Sequence, residues 1–234
     1  MTQLARRPAL AMPLARLRGE GELVREDTDL LIESFPRSAS SYFLAAFNIA
    51  QEPARFAVAH HTHAPGHVIA AIRLGIPALV LVREPEGAVV SSVIRHPDRS
   101  CTAAVHGYVD FHEPLLPHRG TFVVGTFDEV VRGDVGLVTR RVNARFGTAF
   151  AEFEPTEDHV ARALREIDED WRERRGGGER LERIVPRPSA VRDELKRETR
   201  ERYRREVPAR LRERAERLYA AFALMALAGA GERP

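Results

Sequence analysis

Between residues 29 and 126 the chain alternates short apolar runs with segments whose apolar residues recur every three or four positions. Leu30-Leu31-Ile32, within 29–35, predicts a strand, and Phe43, Leu44 and Phe47 mark a helix over 41–51 that closes before Pro53. Phe56 to His60 predicts a second strand. Pro65 to Leu74 predicts a helix ended by Gly75, a residue type that takes the left-handed cap conformation without steric penalty. Pro77 to Arg83 is an almost uninterrupted apolar run of strand length, the pattern of a parallel strand buried on both faces. A helix from Pro85 to Arg95 follows, with proline in its first turn. Residues 96–120 carry His, Tyr, Phe and Pro and predict a cap rather than sheet core. Thr121 to Gly125 predicts another strand, followed by a helix through Phe146.

Strands alternating with helices in this way imply βαβ units with right-handed crossovers, hence an α/β fold around a parallel sheet of about four to five strands. After Phe153 the pattern is helical only. Thr156, Glu157 and Asp158 start a helix that extends towards Arg175, and Gly176-Gly177-Gly178 and Pro186-Arg187-Pro188-Ser189 are breaks. From Arg192 a helical pattern resumes, breaks near Pro208, and places Leu211, Ala215, Leu218, Phe222 and Met225 on one face expected to pack on the sheet. At 234 residues and 44% hydrophobic content the chain is expected to form one domain. Its parts are a weakly ordered lead-in (1–28), an α/β core (29–150) and a helical C-terminal part (151–234).

Charge narrows the function classes. Lys and Arg number 36 against 34 Asp and Glu, a net +2, which suits a mixed surface rather than a polycation seeking nucleic acid. The arginines after 190 alternate with glutamates, the pattern of solvated helix faces. Lys196 is the only lysine, and Arg grips phosphate in a bidentate way that Lys does not. The single Cys101 excludes an intramolecular disulfide and a cysteine-based metal cluster, and the expected compartment is the reducing cytoplasm. No apolar run approaches the ~20 residues of a membrane span. Arg6 and Arg7 are followed by Pro8, Pro13, Arg16 and Arg18, so no secretory signal is expected.

The candidate chemistry begins with Phe35-Pro36-Arg37-Ser38-Ala39-Ser40-Ser41-Tyr42. A strand that breaks into a short loop of hydroxyl residues with one cation, then enters a helix, directs backbone N–H groups and the helix's positive end at one spot, which suits phosphate or sulfate. The Gly-Lys-[Ser/Thr] ending of an ATP-binding loop is absent from the chain. A second element is Arg83-Glu84-Pro85-Glu86-Gly87-Ala88-Val89-Val90-Ser91. Arg83 stands at the carboxyl end of a buried strand, where ligands bind in open α/β sheets, and Ser91 lies two turns into the next helix. The alternative is that Arg83 pairs with Glu84 or Glu86 and Ser91 is a surface hydroxyl.

Together the two elements resemble the sulfotransferases that use 3'-phosphoadenosine 5'-phosphosulfate (PAPS), including bacterial-type members. The resemblance implies a three-layer P-loop-like fold with PAPS as co-substrate and no metal. It implies a 5'-phosphosulfate site lined by Arg37, Ser38, Ala39, Ser40, Ser41 and Tyr42, and a 3'-phosphate site of Arg83 and Ser91. It covers residues 29–95, and continues loosely through Val123 to Phe146 and the Asn143-to-Gly147 step. His61-Thr62-His63-Ala64-Pro65 is similar to the family's Lys-Thr-His-x-Pro, whose His deprotonates the acceptor hydroxyl; His63 is therefore the candidate base and His61 replaces the lysine. The other readings of His60, His61, His63 and His67 are a polar strand end or a zinc site at 61, 63 and 67, although neighbouring residues on a strand face opposite sides.

Three departures stand out. Ala39 replaces the loop's glycine, and alanine is expected to take that turn only with a negative φ. Gly87 stands where cytosolic members often have Asp, and the family's C-terminal Arg-Lys-Gly segment has only Arg174-Arg175-Gly176 or Arg187 as rival counterparts. The acceptor is a small-molecule or carbohydrate hydroxyl, expected beneath the 96–118 segment with His106, Tyr108, Phe111 and His112; Asp110, His112 and Glu113 are reserve bases. The alternatives are a P-loop kinase and a non-catalytic anion-binding module on the same fold.

Overall fold

The computed structural model describes residues 22–175 and 190–230. Strands β1 (Leu30–Ser34), β2 (Val58–His60), β3 (Ala78–Val82) and β4 (Val123–Thr126) form one parallel sheet in the order β2-β1-β3-β4. The helices are α1 (Ser40–Gln51), α2 (Pro65–Leu74), α3 (Pro85–Arg95), α4 (Cys101–His112), α5 (Phe127–Arg132), α6 (Val135–Phe146), α7 (Glu157–Arg175), α8 (Ala190–Glu206) and α9 (Ala209–Ala230). A 3₁₀ turn, Glu113–His118, follows α4.

The two apolar central strands are sorted by the alternation of their side chains. Leu31, Ala78, Val80 and Val82 face a core shared with α2, α3, α4, α8 and α9. Leu30, Ile32, Leu79 and Leu81 face the opposite core, shared with α1, α5, α6 and α7. Both faces are covered, which is why these strands carry no polar alternation until Glu33 and Ser34. The architecture is three-layer α/β and opens, as in P-loop folds, on a strand, a loop and a helix N-terminus. Among the described residues no helix is long and apolar enough to cross a membrane.

Helices α2 and α3 have the expected limits, because proline starts each and Gly75, at φ 71, receives the end of α2. Ala215, Leu218, Phe222 and Ala226 of α9 are buried, and the stripe packs on β3 and β4 as well as α3 and α4. Elsewhere the chain departs from its pattern. Phe56 and Ala57 lie outside β2: Ala57 N–H donates to the Asp29 carboxylate at 2.7 Å, and the Phe56 ring packs edge-on against Phe150 at 5.0 Å. The helix expected through Phe146 is two helices, since Gly133 at φ 97 caps α5 and α6 starts afresh. Of the expected lead-in, residues 1–21 lie outside the described residues, while Val24 is buried against the core.

The 96–120 segment is helical and much of it enters the core. Tyr108, Phe111 and His112 are all 0% exposed, because α4 turns its 104-105-108-111-112 face inward. The His112 ring lies 4.0 Å from Tyr108, 5.0 Å from Phe111 and 5.3 Å from Phe222, and its Nδ1–H donates to the Tyr108 carbonyl at 2.8 Å. These side chains are core, not pocket lining as expected, and His106 is exposed.

Burial drives the His112 imidazole down from 6.5 to about 4, against the opposing hydrogen bond to Tyr108. Between those two values the unfolded chain binds a proton that the native state refuses. Stability present above pH 6.5 is therefore lost as the pH falls towards 4, by roughly 3 kcal/mol for this one group. His112→Leu is expected to flatten the acid limb of urea-midpoint measurements across that range; an unchanged slope would show that another group sets it.

Candidate functional site

The strand order places a crevice in one location. From β1 the chain crosses to β2 on one side, and from β2 it returns past β1 to β3 on the other. Open parallel sheets bind ligands at such a reversal, outside the carboxyl ends of the strands. The loop 35–39 leaves the carboxyl end of β1, and Arg83 follows β3. Phe35 anchors the loop in the core, its ring edge-on to Tyr108 at 5.1 Å. The Tyr108 hydroxyl in turn donates to the Arg83 carbonyl at 2.8 Å, so α4 braces both strand ends.

Three of the expected site residues meet directly. Arg37 Nε donates to Ser91 Oγ at 3.0 Å, and Arg83 Nη1 donates to the Arg37 carbonyl at 3.0 Å. Arg83 also lies over the Phe127 ring at 3.9 Å and contacts the Glu84 carboxylate at 3.8 Å. Ser91 is half-buried rather than a free surface hydroxyl. The Glu86 side chain is directed elsewhere, approaching Arg200 at 3.5 Å.

Helix α1 begins without a side-chain cap and without an acidic residue in its first turn. Its first-turn N–H groups and positive end are thus not neutralised by the protein's own carboxylates. Ser38 is 0% exposed and its Oγ makes no hydrogen bond among the described residues. Ser40 is buried at the helix start, Ser41 Oγ lies 3.1 Å from His61 Nε2, and Tyr42 packs towards the α1 side of the core, where burial raises its phenol. An orphaned hydroxyl, an uncapped helix start and two guanidinium groups make a donor set that fits a phosphate-like anion.

The loop conformation overturns one expectation. Ala39 has φ 68 and ψ 17, and Arg37 has φ 75, so alanine occupies the left-handed turn that glycine would take freely. At Gly87, a Cβ would stand 1.9 Å from Glu84 Oε1, and the same carboxylate caps the Gly87 N–H. Any side chain at 87 would therefore displace the Glu84 carboxylate from its capping position.

The histidine loop reaches the same edge from β2. His61 and His63 have φ 59 and 52, which takes the chain out of strand geometry, so the expected alternation does not separate their rings. His60 and His61 share a 2.7 Å Nδ1···Nδ1 contact, and the His61 and His63 rings lie 5.8 Å apart. A contact between two ring nitrogens needs one donor and one acceptor, so at least one of the pair is neutral. His63 Nδ1 donates to the Ser34 carbonyl at 2.8 Å, which leaves Nε2 as the basic nitrogen of the neutral ring. Among the described residues no group of three or more His, Cys, Asp or Glu is arranged to hold a metal ion.

Sequence reasoning passed over Glu33 and Thr62. A carboxylate inside the run Leu-Leu-Ile-Glu-Ser was a visible signal, since ionisable groups on a doubly covered strand are rare. Of the reserve bases, His112 is enclosed by the core, Glu113 pairs with Arg214 at 2.5 Å, and Asp110 is half-buried on α4. Asn143 binds Thr148 and Phe150 beyond α6, a structural role. Gly176 and Arg187 lie outside the described residues, and of the Arg174 and Arg175 side chains nothing is described.

No protein-family model matches the chain, and no curated protein matches it. Among solved structures it is similar to mouse sulfotransferase SULT7A1 complexed with PAP, at 14% identity over 89% of this chain and 88% of that one, with a TM-score of 0.45.

Because left-handed backbone costs an L-residue roughly 1–2 kcal/mol, Ala39→Gly is expected to raise the unfolding free energy by about 1 kcal/mol in urea titration. No gain would mean that the lost methyl contact outweighs the relieved strain.

Proposed function

We propose that the chain is a sulfotransferase that moves a sulfuryl group from PAPS to the hydroxyl of a small-molecule or carbohydrate acceptor. The observation that carries this reading is the Arg37-to-Ser91 hydrogen bond, with Arg83 on the Arg37 carbonyl. It joins the loop after β1 to the Arg-and-Ser element after β3, and those are the two motifs whose combination resembles the PAPS enzymes. An ATP-type phosphotransferase is disfavoured by the missing Gly-Lys-[Ser/Thr] ending.

The residues divide by task. Arg37, Ser38, Ser40, Ser41 and the N–H groups of the 37–42 stretch would hold the 5' end of the donor, with Ala39 and Tyr42 forming the turn and its wall. Arg83 and Ser91 would hold the 3'-phosphate. Bound PAPS would supply a sulfuryl group already carried on a phosphate leaving group. Arg37 and the loop donors stabilise negative charge where it grows on that phosphate, and fixed donors of this kind usually supply the largest share of catalysis. His63 takes the acceptor's proton at Nε2, while its Nδ1–H stays on the Ser34 carbonyl. This chemistry runs in a cytoplasmic enzyme without recourse to a metal.

Calorimetric titration with adenosine 3',5'-bisphosphate beside ATP plus magnesium tests the reading. Tight binding of the first and none of the second is expected; the reverse would make the chain a phosphotransferase. Bisphosphate binding without transfer to any hydroxyl acceptor would make it an anion-binding module. Arg37→Ala and His63→Ala are each expected to lower turnover at least ~10²-fold with the fold intact. Normal turnover in the His63 variant would remove it as the base.

A further inference from the structure

Beneath the histidine loop lies a carboxylate with no role in the account above. Glu33 is 0% exposed near the end of β1, and its neighbours along the strand are apolar up to that point. A buried carboxylate is costly unless hydrogen bonds compensate it. Glu33 Oε1 accepts the Thr62 N–H at 2.7 Å and the Thr62 hydroxyl at 3.3 Å, whereas Oε2 makes no hydrogen bond among the described residues. All its hydrogen bonds to the loop therefore converge on one residue.

The adjoining histidine completes the network. His67, on α2, accepts the Val24 N–H on Nε2 at 2.7 Å. A ring nitrogen that accepts an N–H carries no proton, so the neutral ring is protonated on Nδ1, which donates to Thr62 Oγ1 at 3.0 Å. The 3.5 Å approach of His67 Nδ1 to Glu33 Oε1 is accordingly a polar contact and not an ion pair. Burial raises the Glu33 carboxyl, while the polar contact of the His67 side chain, the charge of His63 and of His67 whenever either ring is protonated, and the Thr62 N–H lower it, with a net shift below the ordinary carboxylate range. Glu33 thus stands between the Thr62 backbone and the His67 ring, with Oε1 as the acceptor that holds the loop.

Thr62 sits between the left-handed residues His61 and His63. Residues in that region cost of order 1–3 kcal/mol each and persist only where their surroundings hold them. We infer that Glu33 is the positioning residue for His63: by gripping the N–H and hydroxyl of Thr62 it keeps the left-handed turn from relaxing, so that His63 Nδ1 stays on the Ser34 carbonyl and Nε2 is presented as the base. Consecutive residues of β1 then hold the loop from two sides, Glu33 by its carboxylate and Ser34 by its carbonyl. The inference rests on the reading of His63 as base.

Nitrogen-15 NMR of the imidazole rings, in the full chain without substrate, reads the tautomer directly. The wild-type His63 ring is expected as the Nδ1–H form. In Glu33→Leu that form is expected to give way to the Nε2–H form favoured by free imidazole. Turnover is expected to fall by about 10–100-fold, since a 1 Å misplacement costs ~10²-fold, with adenosine 3',5'-bisphosphate binding unchanged. Glu33→Gln keeps an oxygen for the Thr62 N–H and is expected to retain the Nδ1–H form; it also serves as the folded control. Glu33→Asp, which withdraws the carboxylate by one methylene, is expected to lose the form in part and covers the case in which Glu33→Leu does not fold. A wild-type tautomer in every folded Leu or Asp variant would overturn the inference. Absence of bisphosphate binding in the wild type would overturn the sulfotransferase reading while leaving the tautomer result as a test of Glu33.

Discussion

The placement of β1 between β2 and β3 controls the rest of the molecule. The parallel ladders Leu30 to Val58 and Leu31 to Ala78 fix β1 from both sides, and the crossovers on either side leave its carboxyl end uncovered. Residues near that end are Glu33, Ser34 and Phe35, each held differently. Phe35 is locked in an aromatic core, Ser34 offers its carbonyl to His63, and Glu33 offers its carboxylate to Thr62. A slip of one residue in the β1 register would exchange the faces of every one of these groups.

Strain is concentrated at the same edge. Among the described residues, the non-glycine residues with positive φ are Arg37, Ala39, His61 and His63, two in each of the loops that frame the crevice. Arg37 is held by Arg83 on its carbonyl and by Ser91 on its guanidinium; His61 is held by Ser41, and His63 by Ser34. Each of these bonds is worth only about 1 kcal/mol net, comparable to the strain it opposes. The bonds run from each loop to the elements around it: Arg37 to α3 and the end of β3, His61 to α1 and His63 to β1. Strained backbone with this distribution is characteristic of ligand sites.

Much of the frame was legible along the chain, and particular residues explain why. Pro65, Gly75 and Pro85 act within one turn of themselves, so the limits of α2 and α3 follow from local chemistry. The apolar run 78–82 had the length and pattern of a doubly buried strand, and the stripe on α9 marked a face that packs on the sheet. Gly133 had the same local meaning as Gly75 but was masked by helical pattern on both sides. Phe56 and Ala57 had strand propensity, yet an aromatic cluster and the Asp29 carboxylate claimed them.

The composition of the site was likewise written in order along the chain: a hydroxyl-rich loop with one arginine, then His63, then Arg83 and Ser91. What residue order could not carry was the set of contacts between segments far apart in the chain. Arg37 bonds Ser91 across 54 positions, and Glu33 bonds Thr62 across 29. The positive φ of Ala39 and the inward face of Tyr108 and His112 were equally out of reach. Local propensity is settled by a residue and its near neighbours, whereas strain, burial and proton placement depend on which distant groups the parallel sheet brings to one edge.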